Sequence, residues 1–268
     1  MSPYELRFSG IGRLFGRRAW QRFQGAHVAI VGIGGVGSWT AEALVRSGVG
    51  RITLIDLDDI CITNTNRQAH ALSDSIGREK VTVMAERMRL INPECEVQTV
   101  AEFFTAQTAD ALLAPGYDLV VDAIDSLQNK CLLIASCYRQ NIPLVTVGGA
   151  GGRQDPTQIR CDDLSLSRAD GLLRQVRKQL RSRYEMPASG LLGIPAIFSL
   201  EAPVFPGQDG EVCERREQGT QLRLDCESGY GTASFVTGTF GFAAASAALK
   251  LLAAQLGTDH AMDRQPLP

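Results

Sequence analysis

The segment that most constrains the fold is the glycine turn GIGGVG at residues 32–37. It follows an apolar run, HVAIV, typical of a buried strand, and precedes a helical pattern. Glycines at the first, third and sixth positions of such a turn let the backbone approach a phosphate, and the N-terminus of the helix adds N–H donors. Asp56 lies nineteen residues after Gly37, at the end of the next apolar run, where a ribose hydroxyl would be bound. The combination predicts a nucleotide-binding site.

Short apolar runs alternate with helical patterns as far as residue 152. This alternation predicts an α/β fold, a Rossmann-like doubly wound sheet that is mostly parallel and covered by helices on both faces. Residues 168–185 then form a basic amphipathic helix, and the Pro- and Gly-rich residues 186–231 are expected to form a long crossover or substrate-facing loop with a few short strands. We expect one domain, residues 1–268, made of an N-terminal helical segment (1–25), a nucleotide-binding core (26–160) and a substrate-facing region that ends in a buried helix (161–268).

The composition indicates a soluble protein of a reducing compartment. The net charge is −2, the seven cysteines include no Cys-x-x-Cys pair, and the Arg-rich residues 1–23 lack the apolar core of a signal peptide. We therefore expect a cytoplasmic protein without structural zinc. Residues 229–249 carry no charge and are long enough to span a bilayer, but their Gly, Ala, Ser and Thr content favours a helix that is buried or lies at a dimer interface. Membrane association through this segment is the minority alternative.

The loop DDICITNTNRQAH at residues 58–70 carries side chains that a dinucleotide site does not need. A reaction at the α-phosphate of ATP builds negative charge on the leaving pyrophosphate, and cations, usually with a metal ion, must stabilise that charge. Arg67 and Lys80 supply two cations. Asp125 ends the fourth predicted strand, where a carboxylate ligand for Mg²⁺ would be needed. The loop therefore favours ATP over a dinucleotide.

Each of these side chains also has a structural interpretation. Asn64 and Asn66 bind phosphate oxygens, hold the arginine in place, or simply form a turn. Lys80 is compatible with a solvated helix lysine, and Asp125 with a helix N-cap. Because all of these residues follow the Rossmann-type turn together and in the expected order, the ATP interpretation is favoured. We therefore predict Arg67, Lys80 and Asp125 as catalytic residues.

The motifs GIGGVG, LIDLDDICITNTNRQ, GREK and DAIDS together resemble the ubiquitin-activating-enzyme-like adenylyltransferases, which include the enzymes that adenylate sulfur-carrier proteins for molybdopterin and thiamine synthesis. The resemblance implies a Mg-ATP site, with Asp125 as the metal ligand. It also implies a homodimer in which an N-terminal arginine, either Arg7 or Arg13, reaches the phosphates of the partner subunit. The predicted nucleotide-binding residues are Gly32, Gly34, Gly35, Gly37, Asp56, Asp58, Asn64, Asn66, Arg67, Lys80, Asp125 and Ser126.

Further stretches resemble one subfamily along nearly the whole chain, the tRNA threonylcarbamoyladenosine dehydratases. These stretches are TNTNRQAHAL, INPECEV, PLVTVGGAGGRQDPTQI and LDCESGYGTASFVTGTFGF. The resemblance implies that ATP activates the threonine carboxylate of the modified adenosine in tRNA and that the ring then closes with release of AMP. An intramolecular closure gains from proximity and needs no enzyme nucleophile. On the substrate side, the basic face of the 168–183 helix, formed by Arg174, Arg177, Lys178 and Arg181, is expected to bind tRNA phosphates. Arg215–Arg216 are a second candidate, for which a solvated basic surface is at least as good an interpretation.

Three other functions compete with this one. Adenylation of the C-terminus of a ubiquitin-like sulfur-carrier protein would use the same ATP site, but the missing zinc pairs and the basic helix argue against it. An NAD-dependent oxidoreductase would leave Arg67, Lys80 and Asp125 without a role. A scaffold that binds a sulfur-transfer protein would not need a phosphate site, although a protein of the cysteine desulfurase system stays a candidate partner. For His70 we favour packing within the loop over a role as a base, and for Cys226 burial over sulfur relay; the role of Cys161 is left open.

Overall fold

The computed structural model describes residues 2–207, 209–214 and 230–262. The helices are α1 Pro3–Phe15, α2 Arg17–Gly25, α3 Gly37–Arg46, α4 Lys80–Ile91, α5 Ala109–Leu113, α6 Leu127–Arg139, α7 Gly171–Arg183 and α8 Ser234–Met262. The strands are β1 His27–Val31, β2 Arg51–Ile55, β3 Glu96–Val100, β4 Leu119–Asp122, β5 Leu144–Val147, β6 Ile159–Asp163, β7 Pro195–Ser199, β8 Phe205–Pro206 and β9 Val212–Cys213. The N-terminal segment, residues 1–25, contains two helices, α1 and α2, which are separated at Gly16.

Seven strands form one sheet in the order β3-β2-β1-β4-β5-β7-β6. Every neighbouring pair is parallel except the edge strand β6, which runs antiparallel to β7. The chain leaves β1 towards β2 on one side and later returns to pair β4 with the other side of β1. In an open α/β sheet a ligand crevice forms at this reversal of strand order, outside the carboxyl ends of the strands. The predicted doubly wound, mostly parallel fold is confirmed.

Helices cover both faces of the sheet. On one face, side chains of α2, α3, α4 and α8 form a buried apolar cluster that includes Phe23, Leu44, Met84 and Phe240. On the other face, α5, α6 and α7 contribute to a second buried cluster, and α7 places Leu173, Val176 and Leu180 in it as its pattern predicts. Because the central strands are buried on both faces, their sequences are continuous apolar runs rather than alternating ones.

The uncharged C-terminal segment is a core helix. By length and hydropathy, residues Ser234–Leu256 of α8 could cross a membrane, but 61% of the most apolar window is buried inside the protein. The helix packs against α3, and at Gly241 an added Cβ would lie 2.7 Å from the Cβ of Trp39. A small residue at this point therefore allows the two helices to approach closely. The helix lies mostly inside the protein, and its alternative role at a dimer interface stays a prediction.

The structure differs from the sequence prediction after residue 152. Residues 195–199 lie in the region expected to be a long crossover or substrate-facing loop with a few short strands, but they form β7 within the main sheet, where Thr146 of β5 is in register with Ala196. A five-residue apolar run is too short for periodicity to show whether it joins a sheet, and its partner strand lies about fifty residues earlier in the chain. The predicted division at residue 160 lies inside β6, and strands on both sides of it belong to the same sheet.

Candidate nucleotide-binding site

A cavity of about 670 Å³ opens at the carboxyl ends of β1, β2 and β4, and we call it the nucleotide cavity. It lies where the strand order reverses, as expected for this class of sheet. Ten of the twelve predicted nucleotide-binding residues line it, namely Gly32, Gly34, Gly35, Asp56, Asp58, Asn64, Arg67, Lys80, Asp125 and Ser126. Gly37 and Asn66 do not line it.

The glycine turn is shaped by backbone packing. Gly32 has a φ of +91°, and a Cβ added there would lie 2.8 Å from the carbonyl oxygen of Ala123. A Cβ on Gly37 would lie 1.8 Å from the carbonyl oxygen of Gly32, which explains the requirement for glycine at a position outside the cavity wall. The Asp56 carboxylate accepts a hydrogen bond of 2.6 Å from the N–H of Ile33. Asp56 therefore fixes the turn in addition to lining the cavity.

The surroundings of Asp56 affect its ionisation. Burial raises the pKa of this carboxyl above its usual value, while the charge of Lys80 and hydrogen bonds from the backbone N–H groups of Asp58 and Ile33 act in the opposite direction. A carboxylate in this position accepts hydrogen bonds from donors such as the ribose hydroxyls expected there.

Asn64 and Asn66 have different tasks in the loop. The side-chain oxygen of Asn64 accepts from the N–H of Cys61 at 3.0 Å and closes the short 3₁₀ turn at Ile62–Asn64. The side-chain oxygen of Asn66 accepts from Arg67 Nη1 at 3.0 Å, and its amide nitrogen donates to the carbonyl oxygen of Thr232 at 2.9 Å. Of the roles that the sequence left open, the side-chain carbonyl of Asn64 thus stabilises a turn, and the side chain of Asn66 holds the guanidinium of Arg67 in place.

Arg67 is fixed at both its main chain and its side chain. Its carbonyl oxygen accepts hydrogen bonds from Trp39 Nε1 of α3 at 3.0 Å and from Thr237 Oγ1 of α8 at 3.1 Å. Its guanidinium also donates to the carbonyl oxygen of Thr63 at 2.6 Å. Two helices that are far apart in sequence therefore position this cation at the cavity wall.

Lys80 is the first residue of α4, and its ammonium lies 2.7 Å from the carboxylate of Asp58. The lysine side chain is only 8% exposed, whereas the Asp58 side chain is 52% exposed. The interpretation of Lys80 as a solvated helix lysine is therefore wrong. Asp58, predicted as a nucleotide contact, forms an ion pair with one of the two predicted cations.

Asp125 lies in the turn between β4 and α6, and its side chain is exposed to the cavity. The N-cap of α6 is Ser126, not Asp125. Among the described residues Asp125 makes no hydrogen bond or ion pair, so its carboxylate is available to a metal ion. No group of three or more potential metal ligands is found in the part of the chain that the structure describes. An ion with one protein carboxylate fits Mg²⁺, which usually completes its shell with phosphates and water.

A fully buried ion pair stabilises the turn between β4 and α6, which carries Asp125. Lys130 Nζ lies 2.7 Å from Asp122 Oδ2, and both side chains are 0% exposed. Thr146 Oγ1 donates to the same carboxylate oxygen at 2.6 Å, while Asp122 Oδ1 accepts from the N–H of Ile124 at 3.1 Å. Asp122 is therefore a structural residue that shapes the segment leading to Asp125.

The sequence prediction missed several residues of the cavity wall, namely Asp59, Cys61, Gln68, Glu102, Phe103, Phe104, Ala123, Ile124 and Asn129. Gln68 is buried, and its Oε1 has no hydrogen-bond partner among the described residues. The position of Phe103 and Phe104 soon after β3 was the available signal, because the carboxyl ends of parallel strands share one edge of the sheet.

The remaining candidates lie away from the cavity or outside the described residues. His70 is buried, and burial lowers its pKa to about 4, which supports packing within the loop. Cys161 lies on the edge strand β6 and does not line the cavity. Cys226 and Arg215–Arg216 lie outside the described residues. Arg7 and Arg13 lie on the exposed side of α1.

Comparisons with known proteins agree with this arrangement. The ThiF family model matches residues 9–265. The tRNA threonylcarbamoyladenosine dehydratase of Escherichia coli K12 is 52% identical over 255 residues, which are 94% of this chain and 95% of that protein. Crystal structures of the E. coli tRNA N6-threonylcarbamoyladenosine dehydratase with ATP and with AMP each show 47% identity and a TM-score of 0.85 over 96% of this chain and 98% of theirs. The chain therefore belongs to the ThiF family and, within it, to the tRNA threonylcarbamoyladenosine dehydratases.

Proposed function

We propose that this protein catalyses the ATP-dependent cyclisation of threonylcarbamoyladenosine in tRNA, by adenylating the threonine carboxylate and closing the ring with release of AMP. The observation that carries the proposal is the composition of the wall of the nucleotide cavity, which is lined by Arg67, Lys80 and Asp125 together with residues of the glycine turn. The similarity to dehydratases over 94% of the chain, well beyond the nucleotide core, supports the choice of substrate.

In this proposal the glycine turn and the N-terminus of α3 bind the phosphates of ATP, and Asp56 binds the ribose. Arg67 and Lys80 face the phosphate chain and stabilise the charge that develops on the leaving pyrophosphate. Asn66 acts on this step through Arg67, because it accepts a hydrogen bond from the guanidinium while it is itself held by Thr232.

Asp125 would hold the magnesium ion, together with phosphate oxygens and water. When bound, Mg²⁺ neutralises phosphate charge and orients the phosphate chain. Ser126, beside Asp125 on the cavity wall, is proposed to contact the nucleotide. The Lys130–Asp122 pair positions this segment without touching the nucleotide cavity.

The reaction proceeds in two steps. A threonine carboxylate oxygen attacks the α-phosphorus of ATP, which forms an acyl-adenylate and breaks the bond to pyrophosphate. The neighbouring carbamoyl group then attacks the activated carbonyl carbon, loses a proton, and expels AMP. The net change in the nucleoside is the loss of one water. Because the second step is intramolecular, proximity replaces an enzyme nucleophile.

Three further features are part of the proposal. The protein forms a homodimer in which Arg7 or Arg13 on α1 reaches the partner's phosphates. A sulfur-transfer protein of the cysteine desulfurase system is a candidate partner. The location is the cytoplasm, and the burial of α8 supports a core helix over a membrane anchor.

The test is mass analysis of tRNA nucleosides after incubation of the protein with ATP, Mg²⁺ and threonylcarbamoyl-modified tRNA. We expect the modified nucleoside to lose one water only when ATP is present, with AMP and pyrophosphate as co-products. The alternative acceptor, the C-terminus of a sulfur-carrier protein, predicts a different result. An unchanged nucleoside mass together with ATP–pyrophosphate exchange that depends on a carrier protein would keep the ATP site and reject the tRNA substrate.

A further inference from the structure

A second cavity of about 300 Å³ lies beside the loop that carries Arg67, and we call it the aromatic cavity. Its wall is mostly apolar and includes Val204, Phe205, Val212 and Phe235. Small-molecule pockets range over about 300–1,000 Å³, so this one has room for a single base rather than for a nucleotide triphosphate.

Hydrogen bonds connect the wall of the aromatic cavity to Arg67, which lines the nucleotide cavity. Thr232 lines the aromatic cavity, and its carbonyl oxygen accepts from the Asn66 amide at 2.9 Å. Asn66 in turn holds the guanidinium of Arg67. At the start of α8, Thr237 donates both to the carbonyl oxygen of Arg67 and, at 3.0 Å through its N–H, to that of Ala233, which also lines the aromatic cavity. A ligand in the aromatic cavity would therefore lie next to the loop that faces the phosphates.

Another residue of the wall, Arg153, lies close to the start of the basic helix α7. Arg153 lines the aromatic cavity and is only 5% exposed. Its guanidinium donates to the carbonyl oxygen of Glu201 and, at 3.1 Å, to that of Ala169, the residue before the N-cap of α7. Its Nε has no hydrogen-bond partner among the described residues. The exposed basic side chains of α7 are Arg174, Lys178, Arg181 and Arg183.

The wall of the aromatic cavity is thus hydrogen-bonded to the loop that carries Arg67 and, through Arg153, to the residue before the N-cap of α7. The exposed side chains of α7 suit an RNA backbone. Phe235 is 57% exposed at its wall, and Phe205 packs against Tyr230 with ring centroids 5.4 Å apart. Exposed aromatic faces of this kind stack on unpaired bases of RNA loops, and enzymes that act on a base take it out of the stack.

We infer that the aromatic cavity binds the purine base of the modified nucleoside, turned out of the tRNA loop and stacked on Phe235. This inference rests on the proposed function and deepens it by assigning the substrate base to a site distinct from the nucleotide cavity. Phe235 presents the stacking face, and Arg153 lines the same cavity. Binding here would leave the threonine carboxylate of the substrate beside the loop that carries Arg67.

The test compares Phe235→Ala with Phe242→Ala. Both residues lie on α8 and are similarly exposed, 57% and 50%, but Phe242 packs against Trp39 and does not line the aromatic cavity. With threonylcarbamoyl-modified tRNA, we expect Phe235→Ala to raise KM by about 5- to 150-fold, the effect of losing one base–aromatic stack. Phe235→Trp should restore a KM near that of the unchanged protein. Phe242→Ala should leave it unchanged.

Two further readouts separate base binding from a structural effect. The KM for ATP and the dependence of tRNA binding on salt should be the same in Phe235→Ala as in the unchanged protein, because neither phosphate contacts nor the ATP site are altered. A stem–loop fragment of the tRNA that carries the modified adenosine should show the same loss as intact tRNA, since it retains the base.

The outcomes distinguish this inference from the proposed function. If the unchanged protein does not convert modified tRNA, the proposed function fails and the inference fails with it. If the unchanged protein is active but Phe235→Ala and Phe242→Ala have equal KM values, only the inference is overturned. If Phe235→Ala impairs ATP–pyrophosphate exchange with a carrier protein while leaving tRNA conversion intact, the aromatic cavity binds a peptide and the inference is also overturned.

Discussion

His70 offers a quantitative test of how tightly the loop at residues 58–70 packs against the fold. Its side chain is 1% exposed, and neither ring nitrogen has a hydrogen-bond partner among the described residues. Burial, with smaller contributions from the charges of Lys80 and Arg87, lowers its pKa from the usual 6.5 to about 4. The perturbation we consider is His70→Leu, which replaces the ring with an apolar side chain that does not titrate.

The sign of the pH effect follows from the direction of this pKa shift. Because the folded pKa lies below the unfolded one, the unfolded chain binds the proton more readily. The stability due to neutral His70 is therefore complete above about pH 6.5 and is lost as the pH falls towards 4. At about pH 5 the unfolded histidine is mostly protonated and the folded one mostly neutral, which lowers the free energy of unfolding by about 2 kcal/mol relative to pH 7.5.

The assay is urea unfolding of the unchanged protein and His70→Leu at both pH values. We expect the difference between their free energies of unfolding to shift by about 2 kcal/mol in favour of His70→Leu on going from about pH 7.5 to pH 5. The contributions of His27 and of the carboxylates are present in both proteins and cancel in the difference. A difference that is the same at both pH values would refute the reasoning, since His70 would then titrate equally in the folded and unfolded chains.

Three other predictions concern the site and its support. Arg67→Ala and Lys80→Ala should each lower the rate of AMP formation at least about 100-fold, as expected for the loss of a charge-stabilising group, while circular dichroism shows an unchanged fold. Asp125→Asn should raise the Mg²⁺ concentration needed for half-maximal activity, and an unchanged requirement would remove Asp125 as the metal ligand. Lys130→Met should lower the free energy of unfolding by about 3–5 kcal/mol in urea, because it leaves the buried Asp122 charge unpaired; adding Asp122→Asn should recover part of the loss.

The parts of the fold that could be predicted from the sequence are those determined by contacts between residues close together in the chain. The glycine turn between β1 and α3 was recognisable because its glycines are required by contacts within a few residues, such as Gly37 against the carbonyl of Gly32. Pairing of β7 with β5 has no such signal, because it is decided by residues about fifty positions apart. The same holds for the edge strand β6, whose mostly polar sequence does not resemble a buried strand.

For the candidate site, the residue types could be interpreted from the sequence, but the contacts of the side chains could not. The residue types in the 58–70 loop indicated phosphate chemistry, and three of the four loop residues predicted to bind the nucleotide, Asp58, Asn64 and Arg67, line the nucleotide cavity. Their contacts were not predictable, because the partners come from distant segments. Asn66 is held by Thr232, 166 positions later, and the main chain of Arg67 is held by Trp39 and Thr237. The role of α8 in positioning the arginine is therefore visible only in the folded chain.

The pairing of Lys80 with Asp58 explains how a cation can be kept in a largely buried position. An ammonium that is 8% exposed would be costly without a counter-charge. Asp58 supplies one, but its own carboxylate is 52% exposed, and ion pairs with solvent access contribute only about 0–1 kcal/mol. The phosphate chain of ATP carries more negative charge than Asp58. Lys80 can therefore exchange its ion pair with Asp58 for a contact with the phosphates at little cost in free energy. Asp58 would in this way hold Lys80 in position until the nucleotide binds, and its own contact with the nucleotide stays a prediction.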